Sequence, residues 1–266
     1  MNRVARALIV HELVERLRDR WVLVATILFA LLAIGITLYG READEAAGAV
    51  TAPSLVTLAA FLVPLVALVL GHDAIVGEKE RNTLGLLLAL PVSRSEVLFA
   101  KVIGRTVALV LAIVVGLGSA ALLLEPGQRA SVLVLLPRTV LLGTAFLSIG
   151  TLVSVVARRH TTAASLAVVA WFMLVFFWDL ALLALMVATD GAMSQELVSL
   201  AVSLNPAGLY RTGLMIDLLG QTALEEMGLV VSLPGTALQG LLWTLWIVGP
   251  VVLGAALLGR PRAVTS

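Results

Sequence analysis

Residues 71–101 read GHDAIVGEKERNTLGLLLALPVSRSEVLFAK, an abrupt run of charge in a chain that is 60% hydrophobic and only 13% charged. The 266 residues have a mean hydropathy of +1.06, too apolar for one core under one polar surface. The chain therefore reads as an all-α polytopic membrane protein, and this stretch is its main polar interruption.

Within the stretch, a membrane-spanning run ends near Gly71 and the chain enters water through His72, Asp73, Glu78, Lys79, Glu80, Arg81 and Asn82. TLGLLLALP follows. Thr83 can cap a short helix over about Asn82 to Leu90, and Pro91 stops it. VSRSEV then supplies a capping box, Ser93 at the cap and Glu96 three residues on, with Val92 and Val97 as the hydrophobic staple. Leu84, Leu86, Leu87, Leu88 and Leu90 are too many leucines for a solvated loop, so this helix must bury them against lipid, the bundle or another protein. It can be a lever that passes a push to the spans on either side, or a re-entrant packing element.

Working outward, apolar runs long enough to cross a bilayer, which takes about 20 residues, lie near Trp21 to Tyr39, Pro53 to Gly71, Val102 to Leu124, Thr139 to Ala157, Thr162 to Met186 and Leu238 to Leu258. The first is too long for a signal-peptide core and is followed by READEA, so it reads as an uncleaved helix. With the N-terminus inside, Arg3, Arg6, Arg16, Arg18, Arg20, Lys79, Arg81, Arg94, Lys101, Arg105, Arg158, Arg159, Arg260 and Arg262 are cytoplasmic. Of the 18 basic residues, that leaves only Arg41, Arg129, Arg138 and Arg211 outside. This bias predicts six spans with both termini cytoplasmic.

Ahead of the first span, Val10, Leu13, Val14 and Leu17 recur at helical spacing among Glu12, Glu15, Arg16 and Arg18, which predicts an interfacial helix over residues 1–20. Lipid contact alone accounts for it equally well. READEAAG and LLEPGQRAS read as short outer loops. The longer outer segment 190–235 holds MSQELVSLAVSL and GLYRTGLMIDLLGQTALEEM on either side of Asn205 and Pro206, which predicts two amphipathic helices that cap the bundle or dock an outer partner.

Several functions are disfavoured. A net charge of +1 without a basic patch argues against nucleic acid. No Gly-x-x-x-x-Gly-Lys-Ser/Thr loop surrounds Lys79 or Lys101, so ATP-derived energy must come from another chain. His11, His72 and His160 all fall at cytoplasmic ends without ligand spacing, and cysteine is absent, so neither a catalytic residue nor a metal ligand is expected. No internal repeat points to an inverted-repeat transporter. One charge lies inside a predicted span: Asp179, about 17 residues and roughly 25 Å above Thr162. Arg138 at a similar outer depth is its expected partner, in a structural ion pair or at a substrate contact.

The stretch DAIVGEKERNTLGLLLALPVSRSEVLFAK resembles the signature of ABC-2 type transporter permeases, D-x-I-x-G-E-x-E-x-x-T-L-x-x-L-L-x-x-P-x-x-R-x-x-x-x-x-x-K. Asp73, Ile75, Gly77, Glu78, Glu80, Thr83, Leu84, Pro91, Arg94 and Lys101 fill its places, and Asn82 stands where many members have glycine. The resemblance implies a single ABC-2 transmembrane domain over residues 1–266, type V exporter-like. It would have an elbow helix at 1–20, a coupling region at 72–96 and an outer segment at 190–235, in a bacterial inner membrane. It also implies a second permease copy and a separate ABC ATPase subunit that holds ATP and Mg, with no cofactor on this chain. Asp73, Glu78, Glu80, Arg81, Thr83, Leu84, Leu87, Pro91 and Arg94 would then couple the ATPase to the spans. Span sequences such as VVAWFMLVFFWDLALLALMVA and the outer SLNPAGLYR resemble the branch that serves copper-site maturation of nitrous oxide reductase, which implies a periplasmic protein on 190–235. The alternative is a general ABC-2 exporter of a lipid, peptide or drug.

Overall fold

The computed structural model describes residues 3–42, 51–89, 91–124, 126–220 and 233–259. Among them every regular element is helical, and six helices are long and apolar enough to cross a membrane. The protein is an all-α, multi-pass membrane protein. The spans are α2 (Arg20–Glu42), α3 (Thr51–Gly71), α6 (Arg94–Leu123), α7 (Pro126–Val156), a composite rod of α8 (His160–Phe172), a π-helical turn (Met173–Phe177) and α9 (Trp178–Ala188), and finally α12 (Thr236–Gly259). An N-terminal helix α1 (Arg3–Leu17) precedes them, and α4 (Val76–Glu80) and α5 (Leu84–Leu88) lie between α3 and α6. Helices α10 (Gln195–Leu204) and α11 (Pro206–Leu219) lie between α9 and α12.

Helices α3 and α7 form the centre. In their most apolar stretches 56% and 61% of the residues are buried, against 11% for the rod that contains α8. Small residues allow this. A Cβ on Gly71 would lie 2.7 Å from the Leu147 carbonyl oxygen and 2.9 Å from the Gly150 backbone, so the two helices touch main chain to main chain. Helix α12 packs on α7, α6 packs on α7 and α2, and α2 closes against α3. Leu55, Leu68, Leu109, Ile113, Phe146 and Leu147 fill the space between them and are almost fully buried.

Two boundaries differ from expectation. The third span begins at Arg94 and not near Val102, and the fourth at Pro126 and not near Thr139, so LLEPGQRAS is mostly helix. At 30 and 31 residues these helices are about 45 Å long, more than the roughly 30 Å hydrocarbon core. Hydropathy marks only the part of a helix that fits lipid; the rest continues because its polar groups find partners. Pro126 opens α7 at the first position, where its missing N–H is no loss.

The N-terminal helix runs over Arg3–Leu17, within the expected 1–20, and leaves part of its apolar face open. Ala5, Glu12 and Arg16 are its buried residues, while Val10, Val14 and Leu17 are exposed. Its charged side faces α6.

Candidate functional site

The Gly71–Ser93 segment is built from local turns pinned by distant groups. After α3 ends, the backbone N–H groups of Ile75 and Val76 both donate to Ser154 Oγ, at 2.8 and 3.0 Å. Lys79 Nζ reaches the Val155 carbonyl at 3.0 Å. Between α4 and α5, Asn82 sits in the left-handed region with φ 56°. That backbone explains why glycine is common here in the resembling signature and why asparagine, which tolerates this region better than most residues, can replace it.

Helix α5 spans Leu84–Leu88, shorter than the expected Asn82 to Leu90, and Leu90 lies outside the described residues. Thr83 precedes it in helical conformation and does not cap it; its hydroxyl donates to the Glu78 carboxylate. Leu84 is buried, Leu87 is half-buried and Leu86 is 72% exposed. Pro91 follows, exposed, and α6 then opens on a capping box: Glu96 N–H donates to Ser93 Oγ at 3.2 Å and Ser93 N–H to Glu96 Oε2 at 2.7 Å.

The charges of the segment point largely into the protein. Asp73 accepts from Arg105 Nη1 and, at 3.3 Å, from Arg16 Nη1. Lys101 Nζ donates to Glu78 Oε1 at 2.8 Å and to Glu12 Oε2 at 2.9 Å. Arg105 Nε donates to Glu12 Oε1 at 2.6 Å, and its Nη1 also donates to the Leu70 carbonyl. Three carboxylates, Glu12, Asp73 and Glu78, therefore alternate with three cations, Arg16, Lys101 and Arg105. Burial opposes the charge of Glu12, yet Arg105, Lys101 and Arg16 hold its carboxyl below the ordinary value of 4.5.

Three further residues reach other elements. Glu80 Oε1 accepts from the His160 backbone N–H at 2.6 Å, at the start of α8. Arg94 Nη1 donates to the Leu258 carbonyl at 3.1 Å, at the end of α12. Arg81 is 64% exposed on its side chain and reaches Glu15 at only 3.8 Å. Beside them a cleft of about 610 Å³ opens between α1, α5 and α6, with Leu8, Glu15, Arg81, Leu86, Leu87 and Val97 among its lining. Arg81, Leu86 and Leu87 are thus open to a partner, whereas Asp73, Glu78, Glu80 and Arg94 already bind within the chain.

Sequence reasoning did not single out Glu12, Arg16, Arg105 or Ser154. A signal was available: Glu12 and Arg16, like Lys101 and Arg105, stand four residues apart on one helical face. An arginine at the end of an apolar span needs a partner.

At the other end of the bundle the expected pairing of Asp179 with Arg138 does not form. Asp179 pairs with Arg211 Nη2, and Arg138 donates to both carboxylate oxygens of Asp217, at 2.7 and 3.2 Å. The cause is α11, which lies between them. Gly213 leaves room where the Arg138 guanidinium passes, a space any Cβ would fill. Asn205, fully buried, accepts from Ala207 N–H at 3.1 Å to cap α11. The end of the expected second outer helix, residues 221–227, lies outside the described residues, as do residues 43–48 of READEAAG.

Among the described residues, no group of three or more His, Asp or Glu side chains is arranged to hold a metal ion. The arrangement is that of a joint: a short helix with one exposed leucine face, tied by ion pairs and main-chain contacts to the surrounding helices.

A family model described as ABC-2 family transporter protein matches residues 6–261. The chain is 40% identical over 261 residues to a protein of Pseudomonas aeruginosa named probable ABC transporter permease protein NosY, with 92% of each chain covered. It is 38% identical over 268 residues to a protein of the same name from Stutzerimonas stutzeri, covering 94% of this chain and 95% of that one.

Proposed function

We propose, from the premise that the chain belongs to the ABC-2 transporter family, that it is a NosY-like permease subunit driven by a separate NosF-like ATPase. Residues 1–266 form one transmembrane domain in a bacterial inner membrane, with both termini cytoplasmic and two copies per complex. ATP and Mg bind the ATPase, and this chain converts closure of the ATPase dimer into movement of its spans. That movement exports a cargo or remodels a NosD-like periplasmic protein on 190–235, in the service of copper-centre assembly in nitrous oxide reductase.

The observation that carries this reading is α5. A five-residue helix strung between the second and third spans, with Leu86 72% exposed beside a cleft, is a surface made to be pushed. Residues 72–96 are then the coupling region. Arg81, Leu86 and Leu87 meet the ATPase; Asp73, Glu78, Glu80, Thr83, Leu84 and Arg94 fix the helix to the bundle, and Pro91 follows its end. A mechanical output is supported at the far end, where α11 is held to α7 by Arg138 and Asp217 and to α9 by Arg211 and Asp179.

Co-purification with a NosF-like ATPase tests the coupling. The wild-type chain should retain the ATPase, and Leu86→Asp with Leu87→Asp should lose it while the permease stays folded; retention by the double variant would refute the assignment. Complementation tests the pathway. Expression in a strain lacking its own NosY should restore copper-replete nitrous oxide reductase, and a copper-deficient enzyme would favour the general exporter.

A further inference from the structure

Helix α1 turns Val10, Val14 and Leu17 outward and Glu12 and Arg16 inward. Val10 is 59% exposed while Glu12 is 3% exposed. An interfacial helix that served only as a lipid float would leave its ionised groups in water, because burying a carboxylate is costly unless it is paired. Here Glu12 is buried between Lys101 and Arg105 of α6, and each of these cations also holds an acid of the segment below α3: Lys101 holds Glu78, and Arg105 holds Asp73. The backbones are equally close. A Cβ on Gly104 would lie 2.9 Å from the Ile9 carbonyl oxygen and from Glu12 Cβ.

We propose that Glu12 is a positioning residue of the coupling machinery, locking α1, the Asp73–Glu80 turn and α6 into one body that moves together when α5 is pushed. The inference rests on the coupling role assigned to α5 above. No member of the network can leave alone, since each departure strands a buried opposite charge. Helix α1 also runs directly into α2 through the Leu17–Arg20 turn, so displacement of the body reaches the first span as well as the second and third. Lys79 on Val155, Glu80 on His160 and Arg94 on Leu258 extend the same segment to the other three. One short helix thereby addresses all six spans, and Glu12 adds a route to the first through α1 beside the packing of α2 on α3 and α6.

The test uses the full chain with its ATPase in liposomes and a single reporter cysteine on α11, placed in a chain that has no cysteine of its own. Glu12→Gln should leave ATPase binding and ATP hydrolysis in place but cut the ATP-driven displacement of the reporter by roughly five-fold or more. Glu12→Asp should recover most of it, and Val10→Ser with Val14→Ser on the lipid side should change nothing. Full displacement in Glu12→Gln, or its loss in the lipid-side variant instead, would overturn the proposal. If Glu12→Gln fails to fold, an intermediate displacement in Glu12→Asp supports the proposal and an unchanged one overturns it. Should the wild-type chain bind no ATPase, the coupling role fails, and amide exchange in the chain alone decides the lock. Exchange over residues 76–88 rises with Glu12→Gln if the lock exists and stays at the wild-type rate if it does not.

Discussion

Asn205 Nδ2 donates to the main-chain carbonyl of Leu174 at 2.6 Å, bridging the junction of α10 and α11 to the π-helical turn of the fifth span. A π turn interrupts the regular i→i−4 pattern and leaves a carbonyl in need of a donor, and such turns often sit at functional positions. The same side chain accepts from Ala207 to cap α11. One buried amide therefore closes two backbone defects at once, and Trp178 and Trp246 reinforce the seam by donating to the Ala201 and Leu204 carbonyls, each at 3.0 Å.

Asn205→Ala should for that reason cost about 2 kcal/mol, combining a lost cap with a buried carbonyl left unpaired. Thermal unfolding of the purified chain in detergent should show a clearly lowered midpoint. An unchanged midpoint would mean that the amide closes neither defect.

The ion pairs of α11 lend themselves to a double-mutant cycle. Asp179→Ala with Arg211→Ala, and Arg138→Ala with Asp217→Ala, should each show a coupling energy of a few tenths to about 1 kcal/mol, as partly exposed pairs do. Asp179→Ala with Arg138→Ala should be additive. Coupling in that last pair would restore the partnership expected from depth alone.

That mistaken partnership shows where sequence reading ends. The spans are legible because each is a local run of apolar residues, and Ser93 with Glu96 is legible because a capping box needs only four consecutive positions. Depth along a helix is legible too, since rise per residue is constant. The azimuth of a side chain around the bundle is not, and it decided that Arg138 meets Asp217 while Asp179 meets Arg211. The inward face of helix α1 was illegible for a related reason: its apolar periodicity marks one face, but only the cations on α6, some 90 residues away in sequence, reveal that Glu12 turns inward. The left-handed Asn82 became intelligible only with its φ angle known.

Glu12 makes acid stability a further readout. Its carboxyl in the folded chain titrates below the ordinary 4.5, so the unfolded state takes up the proton first as pH falls. The stabilisation from this group is complete above that ordinary value and is lost as pH drops through the lower, folded-state value. The melting midpoint of the wild type should therefore fall steeply in this acid window, and the fall should be shallower in Glu12→Gln, which should also be less stable at pH 7 by about 3 kcal/mol because Lys101 and Arg105 lose a buried partner. Parallel acid limbs in the two proteins would show that Glu12 is not ionised in the network.

The contact of α3 with α7 at Gly71 and Gly150 gives the most direct link between packing and the 72–96 segment. Atoms facing a Cβ at Gly71 are main chain, the Leu147 carbonyl at 2.7 Å and Gly150 at 2.9 Å, and neither can rotate away as a side chain would. Gly71→Ala must therefore move α3 away from α7, at a cost of about 1 to 3 kcal/mol. The displacement falls one residue before the turn whose Ile75 and Val76 amides rest on Ser154 of α7, so those hydrogen bonds should lengthen with it. Gly118→Ala is the control: nothing lies within 4 Å of its Cβ, and a glycine inside a helix gives up to about 1 kcal/mol on becoming alanine. Amide exchange should rise at Ile75 and Val76 in Gly71→Ala along with a lower melting midpoint, whereas Gly118→Ala should hold or raise the midpoint and leave that exchange alone. A Gly71→Ala protein with wild-type exchange at both amides would show that the turn is positioned by α4 itself and not by the close approach of the two central helices.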